Sequence, residues 1–369
     1  MREHTEQKCK KHRTFQHVTS IDGMLKFSLL MRITINNRGI YMQSQSKRWL
    51  FSFGFVLSVL LAGCGGGSGN IATTEPTLSS DASAQSASTV RKFTHMMGEI
   101  EVPAEPKQII GLYMEDFLVS LGIKPAAQTT IGAFTLKYLH ENIGDLPKLD
   151  TSAMNFEAIL EMEPDLILLG LPNYAQNDNY AKYAKIAPTY VFEAEAANDW
   201  RNTLRKVGDL IGKRETAEKV LTDYEQKITE GKQKLEKAIG KQTVALVRVR
   251  SNKEIRLYGG PQGYAGSVLY QDLGLEPPAL VKELAWGDNA GHATISAEVL
   301  PKLDVDHLFV VVDDGGKELA EELFSTNIWK SLPAVRSGHV YKVAPDHWMT
   351  FGPIAYDRKV EDVLNALVK

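Results

Sequence analysis

Short apolar runs that alternate with helical patterns are the feature that most restricts the fold of this chain. The runs typical of buried strands are KQIIGLY, DLILLG, PTYVF, TVALVRV, DHLFVVV and HVYKV. Between the runs, MEDFLVSLG and NFEAILEME repeat apolar residues at helical spacing. Strands and helices that alternate in this way predict an α/β fold with mainly parallel sheets, covered by helices on both faces.

One segment interrupts the alternation. Residues 198–239 show no strand pattern and repeat apolar residues at helical spacing, with Gly212 between two helices. The second helix would be about 35 Å long at a rise of 1.5 Å per residue. A coiled-coil partner site is one interpretation of such a helix, but sustained heptads are missing. We therefore predict a single rigid helix at residues 214–239 that joins an N-terminal lobe at 90–213 to a C-terminal lobe at 240–369.

An export signal lies upstream of the predicted lobes. The stretch KRWLFSFGFVLSVLLAGC contains Lys47 and Arg48, then an uncharged apolar run, then Leu-Ala-Gly before Cys64. This order is typical of a lipoprotein signal peptide, here at residues 42–63. A short transmembrane anchor is the alternative, but the run is shorter than the ~20 residues that cross a bilayer. We therefore predict a lipid anchor on Cys64 that holds the protein on the extracytoplasmic face of the cell membrane.

The residues on either side of this signal also have predicted roles. Residues 1–41 are polar and lack periodicity, so we expect a non-native upstream extension and a true start at Met42. Cys9 would then be absent from the exported protein, which leaves no cysteine for a disulfide. Residues 64–89 are rich in Gly, Ser, Thr and Ala, a composition that predicts a flexible tether.

The overall charge gives no sign of a nucleic acid partner. The 369 residues contain 42 Lys and Arg against 45 Asp and Glu, a net charge of -3. An anion site in such a chain must come from local clustering of basic residues.

A local cluster of this kind occurs in the stretch VALVRVRSNKEIRLYGG. Residues two apart in a strand share a face, so Arg248 and Arg250 point to one side. A hairpin in the following turn would bring Arg256 and Tyr258 to the same surface. A solvated edge strand with charged side chains is the alternative. Three arginines nevertheless favour an anion site, because the planar guanidinium donates two parallel hydrogen bonds to a carboxylate.

The two halves of the chain contain a similar acidic pattern. In FEAILEMEPDLILL, Glu157 is followed by an apolar residue and by Asp165 before a strand. In AEVLPKLDVDHLFVV, Glu298, an apolar residue and Asp306 occur at the same offsets. An ordinary joint between helix and strand and a matching acidic corner on each lobe both account for the pattern.

The chain resembles the iron-siderophore substrate-binding lipoproteins of ABC importers, the helical-backbone class III periplasmic binding proteins. The resemblance lies in the lipobox, which is the Leu-Ala-Gly-Cys sequence that ends at Cys64, in the tether, in the lobe–helix–lobe order and in the paired glutamates. Local matches include IRLYGGPQGYAGSVLYQDLGLEPP and WKSLPAVRSGHVYKV, and the resemblance extends from Lys47 to Lys369. It implies a ligand cleft between two α/β lobes and little hinge motion. It also implies that Glu157 and Glu298 dock onto arginines of the membrane permease.

The ligand implied by this resemblance is a ferric siderophore, and no cofactor is expected. A ferric complex of citrate, or of a mixed citrate-hydroxamate siderophore, exposes oxygens that suit Arg248, Arg250 and Arg256. Trihydroxamate complexes are closer to neutral and depend more on aromatic walls. The aromatic candidates are Tyr258, Trp286, Trp348 and, from the other lobe, Tyr174. Among these, Trp348 is expected in a loop over the cleft, because PDHWMTFGP has turn formers at both ends.

No residue is assigned to the iron itself. A siderophore already satisfies the coordination of the metal, and the sequence lacks the clustered His, Asp and Glu of a bare-metal site. A cobalamin or haem receptor is an alternative within the fold, and the three arginines argue against it. An extracytoplasmic hydrolase would need a nucleophile elbow, and GYAGSV around Ser267 has the wrong spacing. We expect a monomeric, non-enzymatic receptor that delivers a ferric siderophore to an ABC permease.

Overall fold

The structure is a computed structural model that describes residues 90–252, 254–260, 263–287 and 291–368. The predicted extension, the signal peptide, Cys64 and the tether lie outside these described residues. Among the described helices, none is long and apolar enough to cross a membrane.

The first half of the described chain alternates short strands and short helices, as predicted. In chain order these are β1 (Val90–His95), β2 (Gly98–Pro103), β3 (Ile109–Leu112), α1 (Glu115–Ser120), β4 (Gln128–Thr130), α2 (His140–Ile143), β5 (Lys148–Asp150), α3 (Phe156–Glu161), β6 (Leu166–Leu169), α4 (Asn179–Ile186), β7 (Thr189–Val191) and α5 (Trp200–Leu210). Short 3-10 turns lie at Lys137–Leu139, Pro172–Ala175 and Ala194–Ala197.

The long helix α6 (Arg214–Ile239) follows α5 and confirms the helix predicted at residues 214–239. Gly212 separates α5 from α6 with a φ of 71°, a left-handed conformation that glycine adopts without strain. The buried residues of α6 recur every three or four positions, so one face of the helix belongs to the core and the charged face is exposed.

The second half contains the remaining elements. In chain order these are β8 (Val244–Val249), β9 (Ile255–Tyr258), a π-helical turn (Ser267–Asp272), α7 (Ala279–Leu284), β10 (His292–Ile295), a 3-10 turn (Ala297–Lys302), β11 (His307–Val312), a 3-10 turn (Asp314–Gly316), α8 (Lys317–Ser325), α9 (Asn327–Lys330), α10 (Pro333–Arg336), β12 (Val340–Val343), α11 (Pro345–Trp348) and α12 (Pro353–Leu367).

The sheets are mainly parallel, which confirms the predicted α/β fold class. In the first half, β3, β6 and β7 form a parallel sheet in the order β3-β6-β7, and β4 pairs in parallel with β5. The second half has one sheet in the order β10-β9-β8-β11-β12. In it, β8, β11 and β12 run parallel, while β9 and β10 are antiparallel additions at one edge. A separate antiparallel hairpin joins β1 and β2.

The core explains why the strands are continuous apolar runs. β3 and β6 are buried along their whole length, as expected for parallel strands covered on both faces. One apolar cluster extends from α1 and β3 through α5 and α6 into β8 and β11. A second cluster is confined to the first half, around β6, α3 and α4. The long helix therefore shares its buried face with both halves, which opposes independent movement of either half.

The last helix, α12, returns to the first half of the chain. Its first backbone N–H groups, those of Ile354 and Ala355, both donate to the Asp116 carboxylate of α1 at 2.9 Å. The helix also packs against α6. The lobe boundaries at residues 90–213 and 240–369 stay a prediction, and α12 gives the two halves a second connection beside α6.

The aspartates of the acidic pattern make the same kind of contact in both halves. Asp165, just before β6, accepts backbone N–H groups of Lys107 and Gln108 at 2.6 and 3.0 Å, next to the start of β3. Asp306, just before β11, accepts the backbone N–H of Thr243 at 2.7 Å, next to the start of β8. In both halves an aspartate therefore joins the starts of two neighbouring parallel strands.

Candidate functional site

The predicted arginines lie on one face of a hairpin. β8 and β9 pair in antiparallel register with Arg248 opposite Arg256. The backbone N–H of Arg250 donates to the carbonyl oxygen of Glu254 at 2.9 Å. This geometry confirms the predicted hairpin that brings Tyr258 and the three arginines to one surface. Their role as ligand contacts stays a prediction.

Two carboxylates pair with these arginines. Asp313, directly after β11, accepts from Nε and Nη2 of Arg248 at 2.8 and 3.0 Å. Glu254 Oε2 accepts from Arg250 Nη1 at 2.9 Å and from Nε and Nη2 of Arg256 at 3.1 and 2.9 Å. Three guanidinium charges thus face two carboxylate charges, which leaves one positive charge in excess. We call this set of five side chains the arginine face.

Tyr258 and His292 border the arginine face. Arg248 Nη1 donates to the Tyr258 hydroxyl at 3.2 Å. The Tyr258 ring lies 5.4 Å from His292, its partner across β9 and β10. Burial lowers the pKa of His292, and the positive charges of the nearby arginines lower it further. The imidazole is therefore mainly neutral at pH 7 and adds no charge to the site.

Three aromatic side chains from the two halves lie in contact beside the arginine face. They are Tyr113, Tyr264 and Phe351, and we call them the aromatic group. Tyr113 follows β3, and its ring centroid lies 5.4 Å from that of Phe351. Tyr264 stacks on Phe351 at 6.1 Å with an angle of 13° between the rings. Thr350 Oγ1 donates to the Tyr113 hydroxyl at 3.1 Å. Tyr113 has a φ of 62°, a strained conformation for a bulky residue that occurs preferentially at functional sites.

Electrostatic interactions connect the aromatic group to the arginine face. Burial raises the pKa of Tyr264, and the charge of Arg248 opposes this rise. Burial also raises the pKa of Tyr174, which lies in the 3-10 turn after β6, and Tyr264 adds to the rise. Tyr264 therefore interacts electrostatically both with Arg248 of its own half and with Tyr174 of the first half.

Side chains of the two halves also face each other at a small cavity of about 160 Å³. Phe134 and Lys137 line it from the first half, and Asp314 and Asp346 line it from the second. Lys137 Nζ lies 3.2 Å from Asp314 Oδ2 in an exposed ion pair. Exposed pairs of this kind are weak, so this contact does not lock the halves together.

Two fully buried charged residues, Asp116 and Lys359, hold the backbone behind the aromatic group. Asp116 accepts from the Tyr138 hydroxyl at 2.7 Å, in addition to the two N–H groups of α12. Lys359 Nζ donates to the carbonyl oxygens of Tyr264 and Thr350 at 2.7 and 2.8 Å. Lys359 thereby fixes the two segments that carry the stacked rings. We call this pair the buried clamp.

Burial dominates the titration of the clamp and its surroundings. It raises the pKa of Asp116 to about 6, although Tyr138 and two backbone N–H groups oppose the rise. It lowers the pKa of Lys359 well below the usual range. The neighbouring Glu115 is also fully buried, and burial raises its pKa to about 7. Its Oε1 accepts the Thr129 N–H, while Oε2 is buried without a partner among the described residues.

The two predicted tryptophans differ in burial. Trp348 was expected in a loop over the cleft, and this prediction is wrong: the residue ends α11 and is fully buried. Its ring stacks on Phe309, and its indole N–H donates to Asp362 at 2.8 Å, so the N–H is satisfied inside the protein. Trp286 is partly exposed and packs against Tyr270. Its contact with a ligand stays a prediction.

The paired glutamates are exposed, each in the first turn of a short helical segment. Glu157 is the second residue of α3, and Glu298 is the second residue of the 3-10 turn before β11. Each therefore stands two residues before a fully buried apolar side chain, Ile159 in one half and Leu300 in the other. The buried residue anchors the segment and leaves the carboxylate in solvent.

Several residues of the site were missed by the sequence reasoning. They are Tyr113, Glu254, Tyr264, His292, Asp313 and Phe351. A signal was available for two of them, because Tyr113 and Asp313 directly follow the parallel strands β3 and β11. Ligands bind outside the carboxyl ends of parallel strands. The others come together only through tertiary contacts.

The arginine face can bind anionic oxygens through charge-assisted hydrogen bonds, and the aromatic group can pack against a ligand's apolar atoms. Within the described ranges, no group of three His, Cys, Asp or Glu side chains could hold a metal ion. Ser267 Oγ, at the site of the hydrolase alternative, donates to Gly263 O at 2.7 Å and lies 3.0 Å from the Tyr356 hydroxyl. These partners hold the serine in a structural role.

This chain is similar to a known family of binding proteins and to individual named proteins. The family described as periplasmic binding protein matches residues 135–346. The iron(3+)-hydroxamate-binding protein FhuD of Bacillus subtilis is 29% identical over 86% of this chain and 96% of its own length. The probable siderophore-binding lipoprotein YfiY of the same organism is 33% identical over 75% of this chain and 87% of its own.

A solved structure of a protein with a bound siderophore also has a similar fold. Staphylococcus aureus SirA complexed with staphyloferrin B matches with a TM-score of 0.63 and 26% identity. The match covers 75% of this chain and 98% of SirA.

Proposed function

The chain belongs to the periplasmic binding protein family, and from this we propose that it is an extracytoplasmic receptor that binds a ferric siderophore and delivers it to an ABC permease for iron uptake. Members of this family bind substrates without converting them, so the chain is a substrate-binding protein and not an enzyme. The siderophore is its ligand and not a cofactor.

The observation that carries this proposal is the arginine face beside the aromatic group. Arg248 and Tyr258 line one side through the contacts of the β8–β9 hairpin. Tyr113 of the first half contacts Phe351 of the second half, and Tyr264 stacks on the same ring. A siderophore complex combines oxygen atoms with apolar linkers, and such a ligand suits a cleft with these two kinds of surface.

The arginines favour a ligand that carries anionic oxygens, of the citrate type or the mixed citrate-hydroxamate type. A carboxylate can receive two hydrogen bonds from one guanidinium, a bond pattern that a lysine cannot offer. The one positive charge in excess on the arginine face supports this choice, because it would be neutralised by an anionic complex. Trp286 is a further candidate contact for such a ligand.

A trihydroxamate receptor is the second candidate, and a specific observation favours it. Glu254 and Asp313 already occupy donors of all three arginines. A ligand close to neutral would leave these pairs in place and bind mainly to the aromatic group. The relative FhuD is named for iron(3+)-hydroxamate binding, which agrees with this alternative.

The experiment that tests the function is a titration of intrinsic tryptophan fluorescence with ferric complexes. The panel consists of ferric citrate, a mixed citrate-hydroxamate complex, a trihydroxamate complex and a catecholate complex. We expect saturable quenching by at least one of the first three, without chemical change of the ligand. Absence of saturation for all four complexes, or turnover of an ester substrate, would contradict the receptor.

Membrane attachment and permease docking complete the proposal. A lipid anchor on Cys64 would hold the monomeric receptor at the membrane, and Glu157 and Glu298 would contact arginines of the permease. Their exposure and their matching positions in the two halves support this role. Glu157→Ala and Glu298→Ala should abolish iron uptake by cells and leave ligand affinity unchanged. Normal uptake by the double variant would exclude docking through these residues.

A further inference from the structure

Glu254 and Asp313 hold the same three arginines but differ in how firmly they are fixed. Asp313 follows β11, its backbone N–H donates to Val249 O at 3.0 Å, and its side chain is 15% exposed. Both of its carboxylate oxygens bond to Arg248. Asp313 therefore orients one arginine and has little freedom to leave it.

Glu254 is less constrained. It precedes β9, its side chain is 33% exposed, and a single oxygen, Oε2, receives the bonds of both Arg250 and Arg256. The hydrogen bond from Arg250 is the main cause that lowers the pKa of Glu254, so the carboxylate is charged at neutral pH. The longer glutamate side chain can rotate towards solvent without breaking the β8–β9 backbone pairing.

A ligand oxygen and Glu254 compete for the same donors. Nη1 of Arg250 and Nε and Nη2 of Arg256 already point to the Glu254 carboxylate. An anionic ligand that takes these N–H groups displaces the carboxylate, and one that binds the remaining N–H groups of Arg250 and Arg256 is repelled by the negative charge of Glu254 beside it. A neutral ligand meets neither cost.

We propose that Glu254 is a specificity-determining residue, an internal counter-ion that limits how much negative charge the arginine face accepts from a ferric complex. This inference rests on the proposed function. It assigns the discrimination between anionic and neutral complexes to one carboxylate and not to the arginines alone, because specificity depends as much on what a site rejects as on what it attracts.

The test compares wild type, Glu254→Gln and Glu254→Ala in fluorescence titrations with ferric citrate and with ferrichrome, a neutral trihydroxamate complex. We expect both variants to bind ferric citrate about two- to tenfold more tightly, since a partly exposed ion pair no longer competes. Affinity for ferrichrome should stay within about twofold. Glu236→Gln on the exposed face of α6 is the matched control, because it makes the same charge change away from the arginine face.

The outcomes separate this inference from the proposed function. Tighter binding of ferric citrate by the Glu254 variants, and not by Glu236→Gln, supports the counter-ion. If wild type binds a ferric complex but the Glu254 variants show unchanged affinities, or equal changes for both complexes, the counter-ion role is overturned. The proposal of a siderophore receptor then still stands. Failure of all variants and wild type to bind either complex, or any ligand of the wider panel, overturns both.

Discussion

The arginine face and the buried clamp both combine opposite charges, yet they are built in opposite ways. On the arginine face, long side chains pair with Glu254 and Asp313 at partly exposed positions. In the clamp, Asp116 and Lys359 are fully buried and bond mainly to backbone groups. On the arginine face, a ligand oxygen can replace a carboxylate as the acceptor of an arginine. In the buried clamp, solvent and ligand do not reach the bonded groups, so no such replacement occurs.

This difference indicates different roles for the two sets of charges. An ion pair in contact with solvent contributes little free energy, so its charges can change partners easily and suit recognition of an anion. A buried charged group is costly to leave without its hydrogen-bond partners, so Asp116 and Lys359 suit fixed geometry. The clamp holds the segments of Tyr264 and Thr350, and Asp116 holds the start of α12. We therefore expect substitutions in the clamp to change stability and substitutions on the arginine face to change affinity.

The largest expected effect belongs to Asp116→Ala. It leaves the Tyr138 hydroxyl and two N–H groups of α12 without their acceptor in the interior. The free energy of unfolding should fall by about 3–5 kcal/mol, measured by urea denaturation. Asp223→Ala, which removes an exposed ion pair on α6, is the control and should cost about 0.5 kcal/mol or less. Equal losses in the two variants would contradict the comparison.

The next effect is the pH dependence of stability caused by Glu115, whose pKa is raised by burial to about 7. Because this value exceeds the pKa of a glutamate in the unfolded chain, the folded state binds the proton more tightly. The contribution of Glu115 to the free energy of unfolding is therefore largest below about pH 4.3, and up to about 3.7 kcal/mol of it is lost as the pH rises through about 7. Asp116, with a pKa raised to about 6, acts in the same direction.

Glu115→Gln tests this dependence, since the amide does not titrate. Between pH 5 and pH 8, the free energy of unfolding should fall more steeply in wild type than in the variant. Urea denaturation at the two pH values measures the difference. Parallel slopes would mean that Glu115 is ionised at both pH values in the folded protein.

A smaller effect is expected for Arg248→Ala. Loss of the charge-assisted bonds, together with an unpaired Asp313, should weaken binding of ferric citrate about ten- to a hundredfold, which corresponds to about 1.5–3 kcal/mol. Arg248→Lys should restore only part of the affinity, because an ammonium cannot form the two parallel bonds. Fluorescence titration measures both. An alanine variant with wild-type affinity would assign the arginines to a solvated strand edge.

The smallest effect is expected for Tyr258→Phe, which removes the hydroxyl that accepts from Arg248 Nη1. One neutral acceptor contributes about 0.5–1.5 kcal/mol, so affinity for ferric citrate should fall about two- to tenfold. Affinity for ferrichrome should not change if a neutral ligand depends on the aromatic group. A larger loss for ferrichrome than for ferric citrate would place Tyr258 in the aromatic group instead.

Much of the fold could be predicted from the sequence because its signals are local. Strand runs such as DLILLG are recognisable by continuous apolar character, and α6 by apolar spacing with Gly212 before it. The hairpin of Arg248 and Arg256 followed from the alternation of faces in a strand. Trp348 shows the limit of this reasoning, because turn-forming neighbours do not reveal that the interior contains an acceptor, Asp362, for its indole N–H.

Patterns of residues a few positions apart were enough to predict the α/β class, the long helix, the arginine cluster and the acidic pattern within each half. Which charges pair and which rings meet depends on the folding of the whole chain. Asp313 reaches Arg248 across 65 positions, and Asp116 reaches Ala355 across 239. Such pairs are chosen by packing of the whole chain, because a charge in the interior must find a partner wherever the fold supplies one.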